Sequence, residues 1–249
     1  MSNVLITAGA AGIGRGMAAA FAERGDAVWV VDINEANLAA CPSSWRQDCL
    51  DVTDESAVSD FFQRLRLQWG TLDVLCANAG VAGPIGPVEA LSLEDWRRCI
   101  SVSLDGTFLF SKQAAVMMKV ARSGALVITS STAGLFGFRC RSPYVTAKWG
   151  VIGLTKTLAA ELGPFNIRAN AIFPVSVDGK RMERVLEHEA LISATSRDEL
   201  YAHYAAGSSM QSFVTAADVA NMAVFLASDA ARLVSGQAIA VDGNTAVSV

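Results

Sequence analysis

"TAGAAGIG" (residues 7–14) puts three glycines into eight positions, between an apolar start, "NVLIT" (3–7), and an alanine-rich stretch. The spacing is not that of the dinucleotide fingerprint G-x-G-x-x-G. Counting from Gly9, the second glycine would have to stand where Ala11 is; counting from Gly12, the last would fall on Met17. The stretch is therefore a nucleotide loop of another design or a packed strand-to-helix turn. Its surroundings decide between the two.

Short apolar runs recur along the chain: "NVLIT" (3–7), "AVWVV" (27–31), "LDVLCA" (72–77), "ALVITS" (125–130), "IRANAIF" (167–173) and "QAIAV" (237–241), with a weaker one at 45–50. They are continuous rather than alternating, as in parallel strands covered on both faces. Helical patterns separate them at 13–24, 55–69, 94–120, 144–162 and 216–227. Ser92 with Glu94 and Asp95, and Thr215 with Asp218, are helix-start signals. Strand and helix in alternation predict an α/β, doubly wound, mainly parallel seven-stranded sheet with helices on both faces. No repeat or composition break divides residues 1–249, so one domain is expected. Residues 176–213 are polar, lack a strand signal and contain both His188 and His203. A segment of that length reads as a substrate lid or extra helix pair, with "MERVLEHEALI" (182–192) as its amphipathic helix.

Composition narrows the function classes. The chain is 52 % apolar and 18 % charged, with a net charge of −4 and no Lys/Arg block, which argues against nucleic-acid binding. No apolar run approaches membrane-spanning length, and the start lacks the layout of a signal peptide. Five separated cysteines without a C-x-x-C pair, and two histidines, offer little for a metal site. They read as reduced thiols of a cytoplasmic protein.

Placed after the first strand, 7–14 opens a βα unit whose helix directs free N–H groups and a positive dipole end outward, at a phosphate. Asp32 ends the second strand, 18 residues beyond Gly14. A carboxylate there accepts hydrogen bonds from ribose hydroxyls and repels a 2′-phosphate, favouring NAD; Arg15 is the one basic residue near. Tyr144 and Lys148 are four apart on one helix face, where an ammonium favours a phenolate that serves as general base for an alcohol. Ser131 follows a strand 13 residues before Tyr144, at the sheet end where α/β proteins bind ligands.

Taken together, T-A-x-x-x-G-x-G at the N-terminus, "DVTD" (51–54), "NAG" (78–80) and a serine 13 residues before Y-x-x-x-K resemble the short-chain dehydrogenase/reductase family, over about residues 4–243. The resemblance implies a Rossmann-like fold, a homotetramer, and hydride transfer between NAD(P) and a carbonyl or alcohol. By the same resemblance, Ser131 polarises the substrate oxygen, Tyr144 transfers the proton, and Lys148 supports the phenolate and holds the nicotinamide ribose. Ala8, Ala11, Gly12, Ile13 and Gly14 form the phosphate loop. Asp51 and Val52 contact adenine, and Asn78, Ala79 and Gly80 line the cofactor and brace the sheet. Pro174 and Val177 lie beside the nicotinamide.

Three positions depart from the family pattern. The first loop glycine is replaced by Ala8, with Gly9 and the small Ala10 and Ala11 expected to keep the loop open. Ser103 stands for a relay asparagine and keeps a hydroxyl for water, but lacks the amide's two ends. Val175 and Gly179 replace the usual glycine and threonine after Pro174. For the substrate, Arg139 and Arg141 in "TAGLFGFRCRSP" (132–143) either grip a carboxylate, phosphate or sulfonate or face solvent or another subunit. The reading is an NAD-dependent oxidoreductase of a secondary alcohol or ketone, an anionic substrate being one form of it. The alternatives are an NADP-linked 3-oxoacyl or ketone reductase and a non-catalytic NAD sensor.

Overall fold

A computed structural model describes residues 1–179, 182–183, 186–187, 190 and 195–245. Its elements run β1 (Asn3–Thr7), α1 (Gly12–Glu23), β2 (Ala27–Asp32), α2 (Glu35–Ala39), β3 (Arg46–Cys49), α3 (Glu55–Trp69), β4 (Val74–Ala77), α4 (Leu93–Ile100) and α5 (Gly106–Ala121). They continue with β5 (Gly124–Thr129), α6 (Ser142–Leu162), β6 (Ile167–Pro174), α7 (Arg197–Ala206), α8 (Ala216–Ala227) and β7 (Ala238–Val241). The strands form one parallel seven-stranded sheet in the order β3-β2-β1-β4-β5-β6-β7. The winding reverses between β1 and β4, and such reversals open a crevice at the carboxyl ends of the strands.

Continuous apolar strands are explained by what covers them. Val4 and Ile6 of β1, with Val28 and Val30 of β2, face α1 and α8 through Met17, Phe21, Val219 and Leu226. Leu5, Trp29 and Val31 face the other way, onto Phe61, Phe62, Phe110 and Met118 of α3 and α5. Alternate residues thus enter different cores, and each face needs apolar side chains. Edge-to-face pairs of Trp29 with Phe61 and Trp69, at 5.4 and 5.1 Å between ring centroids, fix the second core's geometry.

The caps form where the sequence signals them. Ser92 Oγ accepts the Asp95 N–H at 3.0 Å, and Thr215 and Asp218 form a reciprocal capping box. The helix expected over 94–120 is instead α4 and α5 joined by a π-helical turn, Ser101–Asp105. Helix α6 starts two residues earlier than its periodicity indicates, with Pro143 in its first turn, where a missing N–H costs nothing.

In the segment 176–213, α7 carries a capping box of Ser196 and Glu199. Leu200, Ala205 and Phe213 bury against Met182 and Leu186 in a small cluster separate from the two sheet cores. Most of the helix expected over 182–192, with Lys180, Arg181, Arg184, His188 and Glu189, lies outside the described residues. His203 is exposed on α7.

Candidate active site

The crevice between β1 and β4 is tied across its base. Thr7 Oγ1 accepts the N–H groups of Asn78 and Ala79, both at 2.9 Å, and Asn78 Nδ2 donates back to the Thr7 and Ala8 carbonyls at 3.3 and 3.4 Å. Asn78 and Ala79 therefore brace the sheet where its winding reverses. Thr7 was not singled out from sequence; a hydroxyl at the last position of an otherwise apolar strand was the available signal.

The loop then turns at Ala8, whose φ of +49° lies in the left-handed region. Ala8, half-buried, packs against the apolar core. Gly9 does not hold the loop open: a Cβ there would stand 2.7 Å from Val30 Cγ1, so this glycine lets the loop press onto β2. The opening is at Gly12, where a Cβ would meet nothing within 4 Å. Helix α1 begins there without a side-chain cap, and Ala11 and Gly12 are exposed ahead of Ile13 and the buried Gly14. An uncapped helix start beside open space fits a pyrophosphate.

The conformation at Ala8 yields a measurable expectation. Left-handed backbone costs an L-residue about 1 kcal/mol, and Ala→Gly adds roughly 0.4–1 kcal/mol of unfolded-state freedom. Ala8→Gly should therefore be near-neutral, within about 1 kcal/mol by urea unfolding. A destabilisation well beyond that would mean that the methyl's packing outweighs its strain.

At the adenosine end, both Asp32 carboxylate oxygens accept backbone N–H groups, from Ala10 at 3.2 Å and Asn34 at 3.0 Å. A carboxylate has about four acceptor positions, so this bracing leaves capacity for a ribose diol. Arg15 donates to the Ala40 carbonyl at 3.0 Å, at the end of α2. Asp51 accepts from the Thr53 backbone and hydroxyl at 2.9 and 2.8 Å. Val52 beside it is buried, facing the start of α5.

The chemical groups gather on α6 and the turn after β5. Ser131 caps a 3-10 turn, its Oγ accepting the Ala133 N–H at 3.2 Å. That turn lies hard against α6: a Cβ on Gly134 would come within 2.8 Å of the Lys148 carbonyl oxygen. Ser130 Oγ donates to the same carbonyl at 2.9 Å. Lys148 is 4 % exposed, its Nζ donating to the Thr129 carbonyl at 2.8 Å and lying 5.8 Å from the centre of the half-buried Tyr144 ring. Ser131, Tyr144 and Lys148 are thus held on two packed turns. Ser130 and the Thr129 carbonyl, which fix α6 and its ammonium, belong to a strand end that the sequence did not distinguish from ordinary core.

Ser103 lies fully buried in the π-helical turn, where its Oγ accepts the Val81 N–H at 3.2 Å. Cys99 Sγ, 4.0 Å from the Val81 carbonyl, completes a clamp on that peptide. Burial pushes the Cys99 thiol up; the hydrogen bond with Ser103 and the charges of Lys148 and Arg141 pull it the other way. A Cβ on Gly80 would lie 3.3 Å from Lys148 Nζ and 3.5 Å from Ser103 Oγ, so Gly80 admits both groups to the same spot.

Arg139 is exposed, whereas Arg141 is half-buried with its guanidinium carbon over the Tyr144 ring, 5.0 Å from the centroid. The two arginines named together in the sequence are therefore separated by the fold. Pro174 ends β6, and Val177 makes a parallel bridge with Val214 just beyond it. Among the described residues, no three His, Cys, Asp or Glu side chains gather where they could hold a metal. No described helix is long and apolar enough to cross a membrane.

The whole arrangement has relatives. A family model described as enoyl-(acyl carrier protein) reductase matches residues 8–244. Cis-4-hydroxycyclohexanecarboxylate dehydrogenase of Sinomonas cyclohexanicum is 37 % identical over 247 residues, 96 % of this chain and 94 % of that protein. A 3-oxoacyl-(acyl-carrier-protein) reductase of Thermotoga maritima is 33 % identical over 250 residues, 98 % of this chain and 97 % of that one. The crystal structure of an NAD+-bound xylitol dehydrogenase superposes with a TM-score of 0.91 at 27 % identity, covering 98 % of each chain. With its crevice at the β1/β4 reversal, its serine turn and its tyrosine–lysine helix, the chain belongs to the short-chain dehydrogenase/reductase family.

Proposed function

We propose that this protein is an NAD-dependent oxidoreductase that moves a hydride between nicotinamide and a secondary alcohol or the matching ketone. The observation that carries the reading is the buried Lys148 ammonium, fixed by the Thr129 carbonyl beside the Tyr144 ring on the helix that packs against the Ser131 turn. In the oxidative direction, Ser131 donates a hydrogen bond to the substrate oxygen and Tyr144, as general base, takes the hydroxyl proton. Lys148, its ammonium beside the Tyr144 ring, supports that proton transfer and would hold the nicotinamide ribose. NAD, when bound, supplies the hydride acceptor. Ala8, Ala11, Gly12, Ile13 and Gly14 would form its phosphate loop, Asp32 would bind its adenosine ribose, and Asp51 and Val52 its adenine. Asn78, Ala79 and Gly80 would line it, with Pro174 and Val177 beside the nicotinamide. Ser103, committed to the Val81 peptide, acts on the relay through the position of that loop.

The Thermotoga relative favours a second reading, a reductase of 3-oxoacyl groups, for which NADP is the alternative cofactor. Asp32 speaks against it, because its carboxylate would repel a 2′-phosphate. Turnover of a panel of neutral and acidic secondary alcohols and their ketones, with each cofactor, separates the readings. NAD(H) should exceed NADP(H) in kcat/KM by at least about tenfold; a reversed preference overturns the role given to Asp32. NAD binding without turnover of any alcohol or ketone would favour a sensor.

We further propose a single domain, with 176–213 as its substrate lid, working in the cytoplasm. A homotetramer has support in Phe108, Val116 and Val120, exposed along one stripe of α5, with Trp149 exposed on α6.

A further inference from the structure

Building on the dehydrogenase reading above, we propose that Cys99 is a positioning residue for the reaction. Its side chain is the seat that sets loop 81–86 between the cofactor-lining Gly80 and the turn at Cys140, four residues before Tyr144. Cys99 is 1 % exposed and is the buried residue of α4. Ser103 stands four residues further on, in the π-helical turn, and both side chains reach the same peptide. Ser103 Oγ accepts the Val81 N–H at 3.2 Å, and the Cys99 thiol, hydrogen-bonded to Ser103, lies 4.0 Å from the Val81 carbonyl. Two residues later the loop passes directly over the sulfur. Gly83 takes a φ of +65°, and a Cβ there would stand 2.7 Å from Cys99 Sγ, 3.2 Å from its Cβ and 4.0 Å from Pro143 Cβ. Glycine suits the left-handed backbone, and here no side chain would fit between loop and thiol. The far end is fixed by the Gly86 N–H, which donates to the Cys140 carbonyl at 3.0 Å.

The loop is thus held at Val81 by Ser103 and the thiol, at Gly83 by the thiol, and at Gly86 by Cys140. Its first point borders the ammonium of Lys148 through Gly80. Its last leads into the first turn of α6, which carries Tyr144. The charges of Lys148 and Arg141 both act on the Cys99 thiol, so the seat lies within electrostatic reach of both ends. In alcohol oxidation the proton goes to Tyr144 and the hydride to the cofactor that Gly80 lines. The height of the loop over Cys99 therefore bears on the separation of the two acceptors, and a misplacement of about 1 Å costs up to about 10²-fold in rate. A thiol suits the seat because it packs as a small apolar group with only a weak donor to satisfy.

The test compares wild type, Cys99→Ser, Cys99→Ala, Gly83→Ala and the double variant Gly83→Ala/Cys99→Ala, with cyclohexanol, 2-butanol and 1-phenylethanol as alcohols. Hydrogen exchange in the NADH complex needs no turnover. At the amides of Val81 and Gly86 it should quicken at least about tenfold in Cys99→Ala, with Cys99→Ser, which keeps a γ atom, in between. In the same variant kcat should fall about tenfold while KM for NAD stays within about threefold, a split that a loss of stability alone does not produce. Gly83→Ala should lower kcat by clashing with the sulfur. The double variant should recover at least about fivefold over it, because removing Sγ leaves the nearest atom at 3.2 Å. Melting temperatures verify folding; if Gly83→Ala alone does not fold, recovery of folding in the double variant is the same readout. Unchanged exchange in Cys99→Ala, or a double variant no better than Gly83→Ala, overturns the role of Cys99 and leaves the dehydrogenase reading intact. Failure of wild type to oxidise any secondary alcohol overturns that reading itself, and the exchange rates then decide the seat alone.

Discussion

Replacing Tyr144 by phenylalanine should lower kcat for alcohol oxidation by about 10²–10⁴-fold, the usual contribution of a positioned acid–base group. NADH affinity, read by fluorescence titration, should stay within about threefold of wild type, because the phenolic oxygen is lost and the ring remains. The geometry makes this separation sharp. Helix α6 is held by Ser130 on the Lys148 carbonyl and by Lys148 Nζ on the Thr129 carbonyl, and neither bond involves the phenol. The ring, over which Arg141 lies, also survives the substitution. Near-normal turnover by the purified variant would remove Tyr144 from proton transfer. Loss of NADH affinity together with turnover would instead give the hydroxyl a structural role.

Gly14→Ala should have the second large effect, this time on the fold of the loop. A Cβ at Gly14 would stand 2.1 Å from the Ala8 carbonyl oxygen and 2.8 Å from Asn78 Nδ2. The nearer atom is backbone and cannot rotate away, so either the start of α1 or the turn at Ala8 must move. Overpacking of this sort costs about 1–3 kcal/mol, sometimes more. The displaced atoms are also those that brace β1 to the segment after β4 through Asn78. Urea unfolding should therefore show a loss of about 2 kcal/mol or more, and NAD affinity should fall at least about tenfold. Retention of both would show that the loop relaxes cheaply, and would weaken the assignment of α1's N-terminus as the phosphate site.

Much of this protein was legible from contiguous residues. Continuous apolar runs with helical patterns between them implied a parallel sheet covered on both faces, because period and composition act within a single element. The caps at Ser92 and Thr215 were readable for the same reason: cap and recipient lie three residues apart in the chain. The Tyr144–Lys148 spacing put both groups on one helix face, and Ser131 at a strand end put a hydroxyl at the same end of the sheet.

Other features were not legible because they depend on how remote segments approach. Gly9 was read as opening the loop, but β2, some 20 residues away in sequence, is what it must clear. Ser103 was read as a stand-in for an asparagine; its actual partner, the Val81 peptide, is brought to it by the π-helical turn. Arg139 and Arg141 were indistinguishable in the sequence.

By itself, then, the sequence determined the order of the seven strands and of the longer helical stretches between them, though not α2 or the break between α4 and α5, together with the placement of the loop at 7–14 in the first βα unit and the chemical identities of Ser131, Tyr144 and Lys148. These follow from local propensity, periodicity and spacing, which neighbouring residues carry between them. Tertiary structure alone decided that Ala8 turns left-handed and packs against the core, that Lys148 is buried against the Thr129 carbonyl, and that Arg141 rather than Arg139 lies over Tyr144. The physical reason is common to all three. Each is set by steric and hydrogen-bonding demands between segments that meet only when the sheet has formed, and those demands outweigh the preference of any single residue.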